Sequence, residues 1–252
     1  MGNRLARLAG GISTRVKGGP NEGLRWSIAS IGRGYGDGTF EMRRLLTLAG
    51  LIRDGECVWD IGAHKGYVSL LAARRVGEKG CVYSFEPSQE NLWFLGKHLE
   101  WNGIRNVTVT PTAVGDFDGE SSFGGGSSLS LSLGGGDSIV KVRTIASLIE
   151  SDGYRPPTLL KIDVEGAEAK VLEGAGKHLF APDRVIMAAM HSRENHERCT
   201  QILRDAGYRL VESGETAEIR ARNWTGRGDP DILAIGPERE VSDEALEIFT
   251  EV

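Results

Sequence analysis

CVWDIGAHKG, residues 57–66, is the most informative stretch of this chain. Its apolar run ends in Asp60, and Gly62 and Gly66 enclose a short loop before the apolar residues of 67–73 begin a helical pattern. The order predicts a strand, a glycine turn and the N-terminus of a helix. Glycine admits positive φ and lets a ligand approach the backbone, and the first N–H groups of a helix have no partner inside it. We therefore expect a small ligand with an anionic group in this turn.

The spacing of the glycines narrows the choice of ligand. A dinucleotide fingerprint has the order G-x-G-x-x-G, in which the middle glycine lets the pyrophosphate come close. Here the order is D-x-G-x-x-x-G, with Ala63, His64 and Lys65 between the glycines, so one of the required glycines is missing. The P-loop order G-x-x-x-x-G-K-[ST] is not met either. The pattern resembles the first motif of class I S-adenosylmethionine-dependent methyltransferases, which implies a loop that holds the methionine part of that cofactor.

Length and composition fit one cofactor-binding domain. A chain of 252 residues, 40% hydrophobic and 26% charged, suits a single sizeable α/β domain. The net charge of −5, with acids and bases interspersed, lacks the basic footprint of nucleic-acid binders, so we expect a small-molecule or glycan acceptor. The three cysteines form no C-x-x-C pair, which favours a reducing compartment. Since no apolar run approaches the roughly 18 residues of a membrane span, we expect a cytoplasmic protein that does not bind membranes, with a homodimer as a further expectation.

The N-terminal segment, residues 1–38, is rich in glycine and basic residues and predicts an arm or lid. Thr39 can cap a helix that follows, and Glu41 near its positive end would stabilise it. Tyr35 and Glu41 could touch a ligand there, although packing and capping alone would also explain them. The main domain is expected over residues 39–240, with a C-terminal tail at 241–252.

Two further strand ends predict the adenosine side of a site. The strand pattern CVYSFEP ends in Glu86, beside the strand of the glycine loop, where a carboxylate can accept both ribose hydroxyls. This role would serve NAD and S-adenosylmethionine equally, and a helix cap is the alternative. After the strand pattern NVTVTP, Ala113 and Val114 offer a flat apolar edge for an adenine. Asp116 could reach a base nitrogen or could simply occupy a turn.

Two glycine-rich segments are expected to border the site. Residues 124–137, GGGSSLSLSLGGGD, alternate leucine with serine between glycine clusters, which predicts a hinged flap or a plain surface excursion. The loop RARNWTGRGDPD, residues 220–231, carries Trp224, which could stack on a substrate ring. A solvated hairpin loop is the alternative reading of this second segment.

TLLKIDVEGAE, residues 158–168, carries the candidate chemistry. Its apolar strand ends in Asp163, and Glu165 lies at the turn into a helix, so both carboxylates should face the crevice where open parallel sheets bind ligands. Repulsion between them would raise one pKa, as a proton acceptor near neutral pH requires. The next strand ends in His191, a candidate general base. The three side chains could also hold a divalent metal such as Mg²⁺, and a strand-end hydrogen bond is the alternative for His191.

The motifs DIGAHKG, FEP, AVGD, V-x-V-x-T-I and KIDVEGAE follow one another in this order. The succession resembles the FkbM family of methyltransferases over residues 40–212. This resemblance implies a Rossmann-like class I methyltransferase fold, α/β, with helices on both faces of a seven-stranded, mostly parallel sheet. It also implies S-adenosylmethionine as methyl donor and a hydroxyl acceptor on a polyketide, a sugar or a similar metabolite, as in natural product biosynthesis.

The candidate site residues fall into four groups. Those expected to bind the cofactor are Asp60, Gly62, Ala63, His64, Gly66, Glu86, Ala113, Val114, Asp116 and Asp163. Those expected to position the acceptor and remove its proton are Asp163, Glu165 and His191, with Asp163 and His191 as candidate metal ligands and with Tyr35 and Trp224 as candidate substrate contacts. Two other functions remain open: an NAD-dependent oxidoreductase, which needs the glycine that this loop lacks, and a non-catalytic scaffold that binds the cofactor without transferring its methyl group.

Overall fold

The computed structural model describes residues 10–30, 32–124, 132–134, 136, 138–213, 231–247 and 249–251. The loop that carries Trp224 and most of the expected flap at 124–137 lie outside the described residues, so both expectations stay predictions. Within the described residues, no helix is long and apolar enough to cross a membrane.

The chain alternates strands and helices. The strands are β1 (Ser13–Arg15), β2 (Arg25–Ser27), β3 (Cys57–Ile61), β4 (Cys81–Phe85), β5 (Val107–Thr110), β6 (Ala113–Val114), β7 (Gly119–Gly124), β8 (Ser132–Leu133), β9 (Ser138–Arg143), β10 (Leu159–Ile162), β11 (Val185–Ala189), β12 (Arg209–Ser213), β13 (Asp231–Ile235) and β14 (Phe249–Glu251). The α-helices are α1 (Met42–Leu51), α2 (Tyr67–Val76), α3 (Gln89–Asn102), α4 (Ile145–Glu150), α5 (Glu168–Glu173) and α6 (Arg193–Asp205). Short 3₁₀ turns lie at Ile28–Ser30, Gly176–His178 and Asp243–Leu246.

The main sheet has eight strands in the order β14-β12-β13-β11-β10-β3-β4-β5. The five strands from β11 to β5 are parallel, and β13 runs antiparallel to both β11 and β12. This arrangement confirms the expected Rossmann-like α/β fold. The three-residue strand β14 adds an eighth strand at the edge of the seven that were expected. A second sheet, in the order β6-β9-β7-β8, follows β5 in the chain.

The central strands are buried along their whole length because helices cover both faces of the sheet. Every residue of β3, β10, β11 and β13 is buried. Burial on both faces is what the parallel strands β3, β10 and β11 require in the middle of such a sheet. Helices α1 and α2 contribute to the apolar core on one face, and α4, α5 and α6 contribute to the core on the other. The strand order reverses between β3 and β10, and ligands bind at the carboxyl ends of the strands at such a point.

The described part of the N-terminal arm is packed against the domain. Trp26 is fully buried and its ring stacks on His98 of α3 with a centroid distance of 3.7 Å. The expectation that Thr39 caps the next helix is wrong. Its hydroxyl donates to Asp37 at 2.7 Å, and α1 begins only at Met42.

Candidate active site

The glycine loop has the strand, turn and helix geometry that its sequence predicts. Gly62 and Gly66 have φ values of +75° and +88°, and a side chain has no room at either position. A Cβ on Gly62 would lie 1.9 Å from the carbonyl oxygen of Asp163, and one on Gly66 would lie 2.2 Å from Leu95 Cδ1. The backbone N–H groups of Gly62 and Ala63 both donate to the carbonyl oxygen of Phe85 at 3.0 Å. The loop is therefore held to β4 and lies directly against the turn after β10.

Asp60 lies behind this loop. Its side chain is fully buried, and its Oδ2 accepts a hydrogen bond of 2.6 Å from Ser69 Oγ of α2. Its Oδ1 lies 3.0 Å from Lys161 Nζ of β10. Asp60 therefore supports the loop from within the sheet, and its expected part in cofactor binding stays a prediction. Lys161 was not identified as a site residue from the sequence, although it belongs to the KIDVEGAE motif.

Glu86 faces the glycine loop from the end of β4. One oxygen accepts a hydrogen bond of 2.7 Å from the backbone N–H of His64, and the other accepts from Ser88 N at 2.8 Å and from Asn91 Nδ2 at 3.3 Å. Burial raises the pKa of Glu86, and these three hydrogen bonds oppose the rise. Because a carboxylate offers about four lone-pair positions, the group keeps capacity for a ribose hydroxyl.

The expected adenine edge lies beside Glu86. Ala113 and Val114 form β6 and are both buried, and they follow β5, whose Thr110 carbonyl accepts from the N–H of Glu86 at 3.2 Å. Asp116 is exposed beyond this strand. The structure therefore brings Ala113 and Val114 to the same end of the sheet as the glycine loop and Glu86.

The structure assembles Asp163, Glu165 and His191 into one group, here called the carboxylate–histidine cluster. One ligand atom of each residue lies within 4.8 Å of the others. His191 Nε2 lies 3.4 Å from Asp163 Oδ1 and 3.7 Å from Glu165 Oε2. Glu165 adopts φ +56°, a left-handed conformation that side-chain-bearing residues rarely take and that is common at functional sites.

The buried carboxylate of Glu168 holds parts of this cluster in position. Its side chain is fully buried and lies 2.9 Å from His191 Nδ1 through Oε1. The same oxygen accepts hydrogen bonds from the N–H groups of Val164 at 3.0 Å and Gly166 at 3.2 Å, and Asn195 donates to Oε2. Glu168 therefore fixes both the turn after β10 and the imidazole ring. This role was not predicted from the sequence, although Glu168 is the last acid of KIDVEGAE.

The pKa values within the cluster diverge. Burial alone would lower the pKa of His191, but its hydrogen bond to Glu168 and the charges of the three neighbouring carboxylates raise it to about 9. Burial would raise the pKa of Asp163, yet the charges of Lys161, Arg44 and His191 hold it below its usual value. The pKa of Glu165 is raised, chiefly by burial and in part by repulsion from Asp163. At neutral pH His191 is therefore protonated and Asp163 ionised.

Arg44 of α1 closes one side of the cluster. Its guanidinium binds Asp231 through two hydrogen bonds, of 3.0 Å from Nε and 2.7 Å from Nη2. Nη1 lies 3.3 Å from Asp163 Oδ2 and 2.7 Å from Glu41 Oε2. The ring of Tyr35 stacks on Phe40 at 3.9 Å and is buried.

The pKa of Tyr35 is affected by the charge of the cluster. Burial raises the pKa of the Tyr35 hydroxyl, and the charges of Glu41 and Asp163 raise it further. The expected contact of Tyr35 with a substrate stays a prediction.

The fold and this site define a class I methyltransferase domain: a glycine loop after the first central strand, an acid at the end of the next strand and polar groups across the crevice. The family model described as the Methyltransferase FkbM domain matches residues 60–210. Because this match covers more than half of the chain, the protein belongs to the FkbM family of methyltransferases. The family match supports S-adenosylmethionine as the methyl donor.

Solved structures share the fold at low sequence identity. A methyltransferase FkbM from Methylobacillus flagellatus is 19% identical with a TM-score of 0.52, and the match covers 71% of this chain and 43% of that one. A precorrin-6y C5,15-methyltransferase from Geobacter metallireducens is 20% identical with a TM-score of 0.50, over 78% of this chain and 87% of that one. At these identities the likeness shows the fold alone.

One curated relative matches over a shorter segment. The protein-L-isoaspartate O-methyltransferase of Fervidobacterium nodosum is 34% identical over 65 residues. That segment is 26% of this chain and 31% of the relative, so the chain spans about a third of the length of this relative. The relative's activity and substrate are therefore not transferred to this chain.

Proposed function

We propose that this protein methylates a hydroxyl oxygen of a small metabolite, polyketide or sugar, with S-adenosylmethionine as the donor. The observation that carries the proposal is the contact between the two halves of the site. Gly62 of the donor loop packs against the carbonyl of Asp163, where a Cβ would lie only 1.9 Å away. An acceptor held by the carboxylate–histidine cluster would therefore lie beside a donor held by the loop, as in-line transfer requires.

The roles within the cluster follow from its protonation. A protonated His191 donates hydrogen bonds and cannot accept a proton, so we assign it to holding the two carboxylates. The ionised Asp163 lies 3.4 Å from His191 Nε2 and stabilises its positive charge, so the acceptor hydroxyl donates its single hydrogen bond to Glu165. Glu165, with its raised pKa, is the stronger base of the two and takes the proton.

The bond changes balance without a further reactant. S-adenosylmethionine supplies a methyl group already activated on a sulfonium. The acceptor oxygen forms the new bond to the methyl carbon, and the electron pair of the broken C–S bond stays on sulfur. The hydroxyl proton passes to Glu165 and then to water through the partly exposed side chain, of which 35% is accessible.

Radiolabelled methyl transfer tests this proposal. The protein is incubated with S-adenosylmethionine tritiated on the methyl group and a small-molecule cell extract, and label is counted in the extract after the nucleoside is removed. We expect transfer by the parent, a loss of about 10²-fold or more in Glu165→Gln, and little change in the exposed control Glu197→Gln. Donor binding without transfer would support the scaffold reading instead.

A divalent cation is a second candidate for the same cluster. Two carboxylates and one imidazole suit an ion such as Mg²⁺ or Mn²⁺, and Glu168 lies against the other ring nitrogen, as carboxylates commonly do in metal sites. Asp163, Glu165 and His191 would hold the ion, which would lower the pKa of the acceptor hydroxyl. Calorimetry with MgCl₂ alone and activity after EDTA treatment decide the point, because unchanged activity in EDTA would exclude this role.

A further inference from the structure

Lys161 of β10 has a buried ammonium group that contacts three oxygen atoms. The residue is 5% exposed, and its Nζ lies 3.0 Å from Asp60 Oδ1. It also lies 2.8 Å from the carbonyl oxygen of Gly62 and 3.4 Å from that of Ile61. Nζ therefore donates hydrogen bonds to two backbone carbonyls and forms an ion pair with Asp60.

These acceptors belong to the strand and loop that bind the donor, whereas Lys161 belongs to the strand that ends in Asp163. In the sheet Lys161 is paired in register with Asp60. The carbonyl of Ile61 also accepts the N–H of Asp163 at 3.1 Å. Lys161 therefore lies at the junction of the glycine loop and the turn that carries the reacting carboxylates.

The contact with Gly62 has a specific consequence for the loop. Gly62 already donates its N–H to Phe85, so the bond from Lys161 to its carbonyl fixes both backbone polar groups of this residue. A loop held in one conformation before the ligand arrives loses less entropy on binding. An ion pair with Asp60 alone would not require Lys161 Nζ to contact the loop carbonyl as well.

We propose that Lys161 is a positioning residue that holds the Gly62 carbonyl and so couples the donor loop to the Asp163 turn. This inference rests on the proposed function, because it takes the loop as the donor site. It predicts that Lys161 contributes to cofactor affinity separately from its contribution to folding.

The test must separate these two contributions, because Lys161→Met alone leaves the buried charge of Asp60 without its partner. The double variant Asp60→Asn/Lys161→Met removes both charges and keeps similar side-chain volumes. Its fold is checked by circular dichroism and its unfolding midpoint, and its affinity for S-adenosylhomocysteine is measured by calorimetry. We expect a folded variant with affinity lowered by about tenfold or more, and an unchanged affinity in the exposed control Lys170→Met.

The outcomes are distinguishable. A folded double variant that binds S-adenosylhomocysteine as the parent does would overturn the coupling, whereas a parent that binds none would overturn the proposed function. If the double variant does not fold, nitrogen NMR of the parent protein with labelled lysines tests the proposal instead. We expect a protected ammonium signal, absent from Lys161→Arg, that shifts when S-adenosylhomocysteine is added, and a signal that the ligand leaves unmoved would refute the proposal.

Discussion

Arg44 and Asp163 are 119 positions apart in the sequence, and Arg44 Nη1 lies 3.3 Å from Asp163 Oδ2. The same guanidinium binds Asp231 at the start of β13, and 16% of the Arg44 side chain is exposed. Arg44 and Asp231 both lie outside the segment 60–210 that matches the family model. The wall of the site next to Asp163 is therefore built by parts of this chain that the family pattern does not describe.

Replacing Arg44 by glutamine should destabilise the protein markedly. The change leaves the carboxylates of Asp163 and Asp231 without their shared cation, and breaking such a pair costs about 3 kcal/mol. Urea unfolding measures the loss. The neighbouring Arg43 is exposed, so Arg43→Gln should change the free energy of unfolding by less than about 0.5 kcal/mol. Equal effects of the two substitutions would contradict the assigned pairing.

His191 should make stability depend on alkaline pH. Its folded pKa of about 9 lies above the ordinary value, so its contribution is complete below an unfolded pKa of about 6.5 and is lost as the pH rises towards 9. The shift corresponds to about 3 kcal/mol. The free energy of unfolding, measured across this range, should fall more in the parent than in His191→Gln. Parallel pH profiles of the two proteins would show that the histidine is not held as a cation.

Glu168→Gln should lower the pKa of His191 towards its ordinary value. The carboxylate lies 2.9 Å from His191 Nδ1 and supplies both a hydrogen bond and a negative charge, which glutamine cannot replace. Proton NMR titration of the histidine ring signals measures the effect without any acceptor. The conservative control Glu173→Gln lies on the same helix and should leave the titration of His191 unchanged. An unaltered His191 pKa in Glu168→Gln would mean that Asp163 and Glu165 alone set it.

Local patterns predicted the parts of the site that are contiguous in sequence. The run ending in Asp60, the two glycines and the apolar start of α2 determine a strand, turn and helix within a few residues of each other. The same holds for the strand that ends in Asp163. Thr39 shows the limit of such reasoning, because Asp37 offers its hydroxyl a partner and the helix begins three residues later.

The long-range partners could not be predicted in this way. In the sequence Lys161 is an ordinary strand residue, and only the register of the sheet shows that it lies beside Asp60. In the sequence Glu168 is an acid at the start of a helix, and only the structure shows that the end of β11 places His191 next to it. Such contacts depend on strand order and helix packing, which the local hydrophobic pattern of the sequence does not specify. The pKa shifts of His191 and Asp163 also arise from such long-range partners. The sequence therefore predicted only that one of two adjacent carboxylates would have a raised pKa.

Glu86→Ala should weaken binding of S-adenosylhomocysteine by about tenfold to a hundredfold. The substitution removes the expected acceptor of the ribose hydroxyls and also the acceptor of the His64 N–H, and hydrogen bonds to a charged group contribute about 1.5–3 kcal/mol. Calorimetric titration measures the change. Glu90 is exposed in the first turn of the next helix, so Glu90→Ala is the matched control and should bind as the parent does. Undiminished affinity in Glu86→Ala would remove Glu86 from the cofactor site.

Gly62→Ala should abolish cofactor binding and destabilise the fold. The added Cβ would lie 1.9 Å from the carbonyl oxygen of Asp163, and alanine at a φ of +75° is strained in any surroundings. Neither the loop nor the turn after β10 can yield, because the backbone of each is tied to its neighbour: Gly62 donates to Phe85, and Asp163 donates to Ile61.

Gly96→Ala is the matched control for this substitution. Gly96 lies inside α3, and a Cβ there meets nothing within 4 Å. Alanine in a helix interior is favoured over glycine by about 0.5–1 kcal/mol, so the control should raise the free energy of unfolding and leave affinity for S-adenosylhomocysteine unchanged. Because both variants add one methyl group, their difference reports the close approach of the donor loop to the Asp163 turn together with the strain of alanine at positive φ. A Gly62→Ala protein that binds S-adenosylhomocysteine normally would show that the two halves of the site are not in contact.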